Sequence, residues 1–139
     1  MPIILKCHKG LGPAVTGTAL VAADNFSARY DLDRIKGVFS RPAHKLCGLS
    51  YVGRILVLQT AKGGVASAWM LREMAERGMG PKAILFDRTN TILAQGAAFA
   101  GLPMVDRFEA GPPTTLIRTG DELSIEPGEG RVTVLNRDT

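Results

Sequence analysis

A glycine-rich turn between two apolar stretches carries the strongest chemical signal in this sequence. Its glycines leave the backbone open to a ligand, because neither has a Cβ atom. A helix that begins there points free N–H groups and its positive dipole end at an anion, and a lysine and a serine add a charge and a hydroxyl. The pattern predicts a carboxylate or phosphate cradle, and a tight turn without a ligand is an equally good interpretation. The segment consists of Lys62, Gly63, Gly64, Val65, Ala66 and Ser67.

Two other residues before this turn are candidates for chemistry. Ser50, within residues 48–54, predicts either a ligand contact or the cap of a turn. It does not form a G-x-S-x-G nucleophile elbow, because the next glycine, Gly53, comes three positions later. His44 is a candidate for substrate binding or for carrying a phosphoryl group. The glycine-rich turn itself lacks both the Gly-Lys-Ser/Thr of a P-loop and the third glycine of a dinucleotide site.

Residues 27–49 are broken by Ser, Arg, Asp, Gly and Pro and predict an irregular segment. Its length favours a function, since long loops are uncommon in compact domains unless they do something. Arg29 and Arg41, with Asp31 and Asp33 between them, predict a surface that reads an anionic substrate. The alternative is a solvated loop whose charges pair with one another.

A strand, a helix and a second strand must position the glycine-rich turn. Residues 54–59 and 82–86 are apolar, β-branched runs that predict buried strands, and residues 65–77 predict a helix ended by Gly78. This order indicates a βαβ unit with a parallel pair of strands. The helix is expected to bury a face made of Ala68, Leu71, Ala75 and Gly78. Its exposed face is expected to hold the ion pairs Glu73/Arg77 and Arg72/Glu76.

The rest of the chain predicts strands at both ends of this unit. A strand is expected over 15–22, a short helical piece over 91–100, and a short strand within 101–105. Residues 123–126 and 131–135 flank a Pro-Gly turn and predict a hairpin. We therefore expect a mixed α/β fold, with antiparallel strands flanking a central βαβ unit, in one domain over residues 1–139.

Charge and composition exclude several classes of protein. The chain has 139 residues, 45% of them hydrophobic, which is ordinary for a globular domain and excludes a disordered tail. Its net charge of +4 favours an anionic partner, but the basic residues are scattered among acids rather than clustered. This argues against nucleic acid. The apolar runs fall far short of the roughly 20 residues that a membrane span needs, so no membrane is expected either.

The two cysteines, Cys7 and Cys47, are too few to hold a zinc ion or an iron–sulfur cluster alone. We therefore expect no metal bound by this chain. The start of the sequence lacks the basic and apolar layout of a secretory signal. Two free thiols in the cytoplasm are the expectation that follows.

Several ordered motifs resemble the small swivel domain of the aconitase X family. They are Gly48-Leu49-Ser50, Gly53-Arg54-Ile55-Leu56-Val57, Lys62-Gly63-Gly64, Gly80-Pro81-Lys82-Ala83-Ile84, Gln95-Gly96-Ala97, Ala100 to Asp106, and Thr119 to Leu123. The resemblance implies a swivelling β/β/α fold and a partnership with a large catalytic subunit that holds an iron or iron–sulfur centre. It also implies a hydro-lyase reaction on cis-3-hydroxy-L-proline or phosphomevalonate, small anionic hydroxy acids.

One departure from the family pattern bears on the proton acceptor. In phosphomevalonate-type members a serine follows the Lys-Gly pair, and here that position is Gly64. Ser67, Ser50 or the large subunit would then supply the base. The turn would orient the substrate by binding its carboxylate beside Lys62. This departure favours a hydroxyproline-like substrate over phosphomevalonate. The rival functions are a swivelling phosphotransfer domain with His44 as carrier, and a non-catalytic module that binds an anionic metabolite.

Overall fold

The computed structural model is dominated by one sheet with a helix packed on part of it. It describes residues 3–10, 12–25, 31–33, 35–60, 65–89, 94–95, 97–98 and 101–136. Its strands are β1 (Ile3–Lys6), β2 (Val15–Val21), β3 (Leu32–Asp33), β4 (Val38–Phe39), β5 (Ile55–Thr60), β6 (Ala83–Arg88), β7 (Met104–Val105), β8 (Glu122–Glu126) and β9 (Arg131–Asn136). Its helices are α1 (Val65–Glu76) and the short α2 (Pro113–Leu116), and a 3-10 turn covers Pro127–Glu129.

The main sheet has a parallel half and an antiparallel half. Within the described residues its strand order is β1-β9-β8-β2-β5-β6-β7, and β3 pairs with β4 apart from it. Strand β2 joins the halves: residues 15–18 run antiparallel to β8, and residues 19–21 run parallel to β5. Strands β5, β6 and β7 continue the parallel half, because α1 carries the chain back to the start of β6.

The parallel strands are covered on both faces. Leu56 and Leu58 of β5 point to the face where Leu71 and Met74 of α1 pack. Their neighbours in the strand point the other way, toward the apolar side chains of β8 and β9. Burial on both faces explains why β5 and β6 are continuous apolar runs rather than alternating ones. A helix layer, a parallel layer and an antiparallel layer result, which confirms the mixed α/β prediction.

Helix α1 ends where the sequence predicts. Gly78 has a φ of 68°, in the left-handed region that glycine enters most readily. Its N–H bonds to the carbonyl of Ala75 at 3.2 Å, and the N–H of Met79 bonds to the carbonyl of Met74 at 3.0 Å. This pair of bonds is a Schellman cap. Both predicted ion pairs on the exposed face are present, at 3.2 Å for Arg72 with Glu76 and 3.6 Å for Arg77 with Glu73.

Two expectations about local structure need correction. Ala75 and Gly78 are exposed, and among the α1 side chains that the structure describes the buried ones are Leu71, as predicted, and Met74, whose larger side chain fills the space above β5. The segment 27–49 is not wholly irregular, because the short hairpin of β3 and β4 lies within it. In the predicted helical piece over 91–100, the described residues 94, 95, 97 and 98 are helical.

Candidate functional site

The carboxyl ends of β2 and β5 meet at one edge of the sheet, where polar residues follow each strand. The backbone N–H of Gln59 donates to the carbonyl of Asp24 at 2.8 Å, so pairing continues past the end of β2. The hydroxyl of Thr60 donates to the side-chain carbonyl of Asn25. Ligands of open parallel sheets bind outside the carboxyl ends of the strands. This edge is therefore the candidate site.

Helix α1 begins at this same edge. It starts at Val65, five residues after Thr60, so Val65, Ala66 and Ser67 form its first turn. The N–H groups of a first turn have no partner within the helix, and they carry the positive end of its dipole. Ser67 is thus on the turn that the sequence predicts. Lys62, Gly63 and Gly64 lie outside the described residues, as does Arg29.

A charged cluster lies beside the end of β2. Asp31 is 3% exposed, and Arg41 donates from Nε to its Oδ1 at 2.5 Å. A terminal nitrogen of Arg41 lies 3.8 Å from Oδ1 of Asp24. The expectation of a loop whose charges pair internally is met at these residues, although Asp31 is buried rather than solvated. Arg41 therefore already has carboxylate partners within the protein.

The ionisation of Asp24 is set by its neighbours. Burial acts to raise its pKa, but the net result is a pKa below the ordinary 3.8. Backbone N–H groups of Lys45 and Asn25 donate to its two oxygens, at 3.1 and 2.8 Å, and the guanidinium of Arg41 adds favourable charge. Hydrogen bonds to the charged form outweigh burial here. Asp24 is thus a carboxylate with a fixed position, and it holds the backbone of Lys45 and of Asn25 in place.

His44 is buried at the same cluster, with both ring nitrogens in use. Its Nε2 lies 2.8 Å from the carbonyl of Asn25, and its Nδ1 accepts from the N–H of Leu46 at 3.0 Å. These bonds assign the neutral tautomer with the proton on Nε2. The ring also stacks on Phe39 at a centroid distance of 4.6 Å. A phosphoryl acceptor needs a free, reachable nitrogen, and this geometry provides none.

Ser50 lies apart from Ser67. It bridges to Val38 of β4 and precedes β5, whereas Ser67 follows it. The next residue, Tyr51, donates from its hydroxyl to the sulfur of Met74, in the last turns of α1. The Ser50 hydroxyl accepts from the N–H of Val52 at 3.3 Å, which is the turn-capping interpretation. The structure therefore does not bring the two serines to one site.

Residues that sequence reasoning did not propose as functional complete the edge. Thr60 and Asn25 are the main ones, and the sequence signal is a polar side chain at the end of β5 and another four residues after β2. Further along the edge, Asp87 near the end of β6 accepts from the hydroxyl of Thr114 at 3.1 Å. Burial raises the pKa of Asp87, against the opposing effect of Thr114. It points to the antiparallel face and is thus separated from the α1 side of the sheet.

The donor set of the described residues does not suit a metal centre. No group of three or more His, Cys, Asp and Glu side chains among them is placed to hold a metal ion. These residues therefore form no site for the iron or iron–sulfur centre, which the family resemblance assigns to the large subunit. In the same part of the chain, no helix has the length and apolar character needed to cross a membrane.

Comparisons with known proteins agree with this architecture. Residues 4–134 match the family described as the aconitase X swivel domain. The chain is 31% identical over 126 residues to the phosphomevalonate dehydratase small subunit of Methanocella arvoryzae, covering 91% of this chain and 95% of that protein. It is 33% identical over 130 residues to the protein of the same name from Thermococcus sibiricus, covering 94% and 97%.

Solved structures give the same result. The crystal structure of Thermococcus kodakaraensis aconitase X in its holo form superposes with a TM-score of 0.88 at 26% identity, over 96% of this chain and 99% of that one. The solution NMR structure of a UPF0107 protein superposes with a TM-score of 0.81 at 28% identity, over 96% and 100%. The chain therefore belongs to the aconitase X swivel-domain family.

Proposed function

We propose that this chain is the small subunit of a two-subunit dehydratase of the aconitase X type. The observation that carries the proposal is the match to relatives named dehydratase small subunits, over 91% and 94% of this chain and nearly all of theirs. The name "small subunit" implies a large partner, and we infer that the catalytic complex contains both chains. The net charge of +4 suits an anionic substrate and an acidic docking surface.

The proposed reaction is the elimination of water from a β-hydroxy acid. The C–H bond next to the carboxylate breaks, its electron pair forms the new C=C bond, and the hydroxyl leaves from the neighbouring carbon as water. The reaction thus needs a base for the proton, a fixed position for the carboxylate, and an acid for the leaving hydroxyl.

This chain would supply the first two. Lys62 and the backbone of Gly63, Gly64, Val65 and Ala66 would bind the carboxylate, with the first turn of α1 adding its unpaired N–H groups. Arg29 would bind a second anionic group. Ser67 would accept or relay the proton. A serine hydroxyl is a weak base, and the positive charge of Lys62 and of the helix end would lower its pKa.

The substrate is a choice between two β-hydroxy acids. The names of the relatives support phosphomevalonate. Gly64 supports cis-3-hydroxy-L-proline, because it removes the serine found after the Lys-Gly pair in phosphomevalonate-type members. We place phosphomevalonate first, since the similarity extends over almost the whole chain and Gly64 is one position. The iron or iron–sulfur centre is expected in the large subunit.

The experiment is a reconstitution of the small and large subunits with each substrate. Loss of one water is followed by mass spectrometry, which reads both reactions in the same way. We expect turnover of phosphomevalonate. Turnover of hydroxyproline alone would select the second substrate, and no turnover of either by a folded, metal-loaded complex would overturn the proposed function.

A pair of variants tests the proton acceptor. Ser67→Ala is expected to reduce turnover by about tenfold or more, the effect of a lost acid–base group. Adding Gly64→Ser to Ser67→Ala places a serine at the family position and is expected to restore part of the rate. Ser124→Ala, on the antiparallel strand β8, is the matched control. Unchanged turnover in Ser67→Ala would assign the base to another residue or to the large subunit.

The two rival functions are separated by measurements on the same protein. A phosphotransfer domain would take up acid-labile phosphate, lost in His44→Ala. The occupied nitrogens of His44 argue against that outcome. A metabolite-binding module would show heat of binding on the chain without any partner.

A further inference from the structure

We propose that Trp69 is the anchor of the surface through which this chain docks on the large subunit of the dehydratase. This inference rests on the proposed function, which requires such a partner. Trp69 is the only tryptophan in the chain, and it is 62% exposed on helix α1. A side chain of this size is mostly buried when it stabilises a fold. Its exposure therefore calls for a contact outside this domain.

Trp69 lies on the side of α1 that faces away from the sheet. The side chains of Leu71 and Met74, two and five residues further on, are buried against the sheet. Because each residue turns a helix by about 100°, Trp69 lies about 160° from Leu71 and about 140° from Met74. The indole could join this core only if α1 rotated and exposed those two side chains. Its exposure is thus fixed by the packing of the helix.

The indole is held by its neighbours along the helix. The guanidinium of Arg72 lies over the ring of Trp69, 5.8 Å from the centroid, and Nε of Arg72 donates to Oε1 of Glu76 at 3.2 Å. The three side chains form a row on the outer side of α1. This stacking restricts the indole and the guanidinium before a partner arrives, which lowers the entropy cost of binding. Tryptophan and arginine are also the residue types that most often dominate affinity at protein interfaces.

The row defines the chemistry of the surface that fits it. In the part of the chain that the structure describes, Trp69 has no hydrogen-bond partner, so its indole N–H is available as a donor. A complementary surface offers an apolar pocket for the ring and an oxygen acceptor for the N–H. Arg72 and Glu76 pair with each other at the edge of that contact and keep it polar at the rim.

The position of Trp69 along α1 identifies the large subunit as the occupant. The proposed substrate lies at the first turn of α1, and the large subunit supplies the group that assists the leaving hydroxyl, so the two chains meet around that turn. A stable interface buries about 800 Å² on each partner, so a patch centred there extends more than about 10 Å in each direction. Trp69 comes four residues after Val65, about 6 Å along the helix axis, and therefore lies within the patch.

The first experiment observes Trp69 directly in the complex. The chain is produced with 5-fluorotryptophan, and its single tryptophan gives one ¹⁹F resonance. On addition of unlabelled large subunit, we expect this resonance to move and to lose its shift difference between H₂O and D₂O, because the partner encloses the indole. If the resonance keeps the solvent sensitivity that it has in the isolated chain, in a complex that forms, the inference is overturned.

The second experiment measures the affinity between the two subunits by titration calorimetry. Trp69→Ala is expected to raise Kd by about thirtyfold or more, the effect of losing a central interface tryptophan. Trp69→Phe keeps an aromatic ring without the indole N–H and is expected to give an intermediate Kd. The thermal midpoint of the isolated Trp69→Ala chain should stay close to that of the parent, because alanine favours a helix and the indole is outside the core.

Ile35→Ala is the matched control, because Ile35 is 83% exposed at the other end of the sheet. It lies in the turn between β3 and β4, where Gly37 is next to Val52, before β5 begins. Its Kd for the large subunit should stay within about twofold of the parent value.

Three further outcomes have distinct meanings. An unchanged Kd for Trp69→Ala, or an equal rise for Trp69→Ala and Ile35→Ala, would overturn the inference and leave the proposed function intact. Self-association of the isolated chain that Trp69→Ala abolishes would also overturn it, by assigning this surface to a second copy of the chain. Failure of the parent chain to bind the large subunit would count against the proposed function instead.

Discussion

The charged side chains beside the end of β2 form ion pairs that fix the positions of neighbouring groups. The side chain of Asp31 is 4% exposed and that of Arg41 is 36% exposed, so the pair reaches from the interior to the surface. Ion pairs of this kind lose much of their Coulombic attraction to desolvation, and they are poor sources of net stability. Their value lies in geometry. Here Arg41 spans Asp31 and Asp24, which in turn fixes the backbone of Asn25.

The two thiols differ in their surroundings, and this predicts their reactivity. Burial raises the pKa of Cys7 to about 11 from 9.0, and the charge of Asp106 adds to the increase. Cys47 is exposed, and neither cysteine is in a disulfide. Because the thiolate is the nucleophile, we expect iodoacetamide at about pH 8 to alkylate Cys47 at least about tenfold faster than Cys7. Mass spectrometry of timed digests measures both rates.

The pH dependence of alkylation tests whether the raised pKa of Cys7 causes its slow reaction. Below its raised pKa, the thiolate fraction of Cys7 grows about tenfold for each pH unit, so its alkylation should keep accelerating up to about pH 11. In about 8 M urea the two thiols should react alike, because the burial is gone. Similar rates for both thiols in the folded protein would contradict the prediction. A Cys47→Ser variant isolates the slow reaction.

At the end of helix α1, backbone conformation rather than lack of space favours glycine. A Cβ atom at Gly78 would meet nothing within 4 Å, so only the left-handed φ of 68° opposes a side chain there. We expect Gly78→Ala to lower the free energy of unfolding by about 1 kcal/mol, the cost of a left-handed conformation for an L-residue. Urea unfolding of the isolated chain measures it.

The matched variant is Gly128→Ala, in the 3-10 turn of the β8–β9 hairpin. A Cβ atom there also meets nothing within 4 Å, and Gly128 is not among the glycines with positive φ. It should leave stability unchanged or raise it by up to about 1 kcal/mol through the unfolded state. Equal unfolding midpoints for the two variants would remove backbone strain as the explanation.

The elements differ in how far sequence alone predicts them. Strands β5 and β6 and helix α1 come from continuous local patterns, and their positions are confirmed to within a residue or two. The contact between Asn25 and Thr60 has no such local pattern, because it depends on β2 and β5 being neighbours in the sheet. The same topology separates Ser50 from Ser67, although both lie within reach of β5 in the chain. Local sequence predicts elements, and strand order decides which of their ends meet.

At the scale of the whole molecule, packing and candidate chemistry occupy different halves. The antiparallel half, made of β1, β8, β9 and the first part of β2, covers one face of the parallel strands. Among the candidate residues that the structure describes, Asn25, Thr60 and the start of α1 all lie at the ends of parallel strands. The antiparallel half thus supports the parallel strands whose carboxyl ends form the candidate site.

This division predicts how the chain behaves without its partner. Two hydrophobic clusters fill both sides of the sheet, so the isolated chain should unfold cooperatively in urea. It should nevertheless dehydrate neither phosphomevalonate nor hydroxyproline, because in the proposed complex the large subunit supplies the group that assists the leaving hydroxyl. Calorimetry should register little binding of either acid to the isolated chain.

Addition of the large subunit should restore turnover, with saturation at one small chain for each large one. Turnover by the isolated chain would place the whole reaction within these residues and refute the two-subunit interpretation.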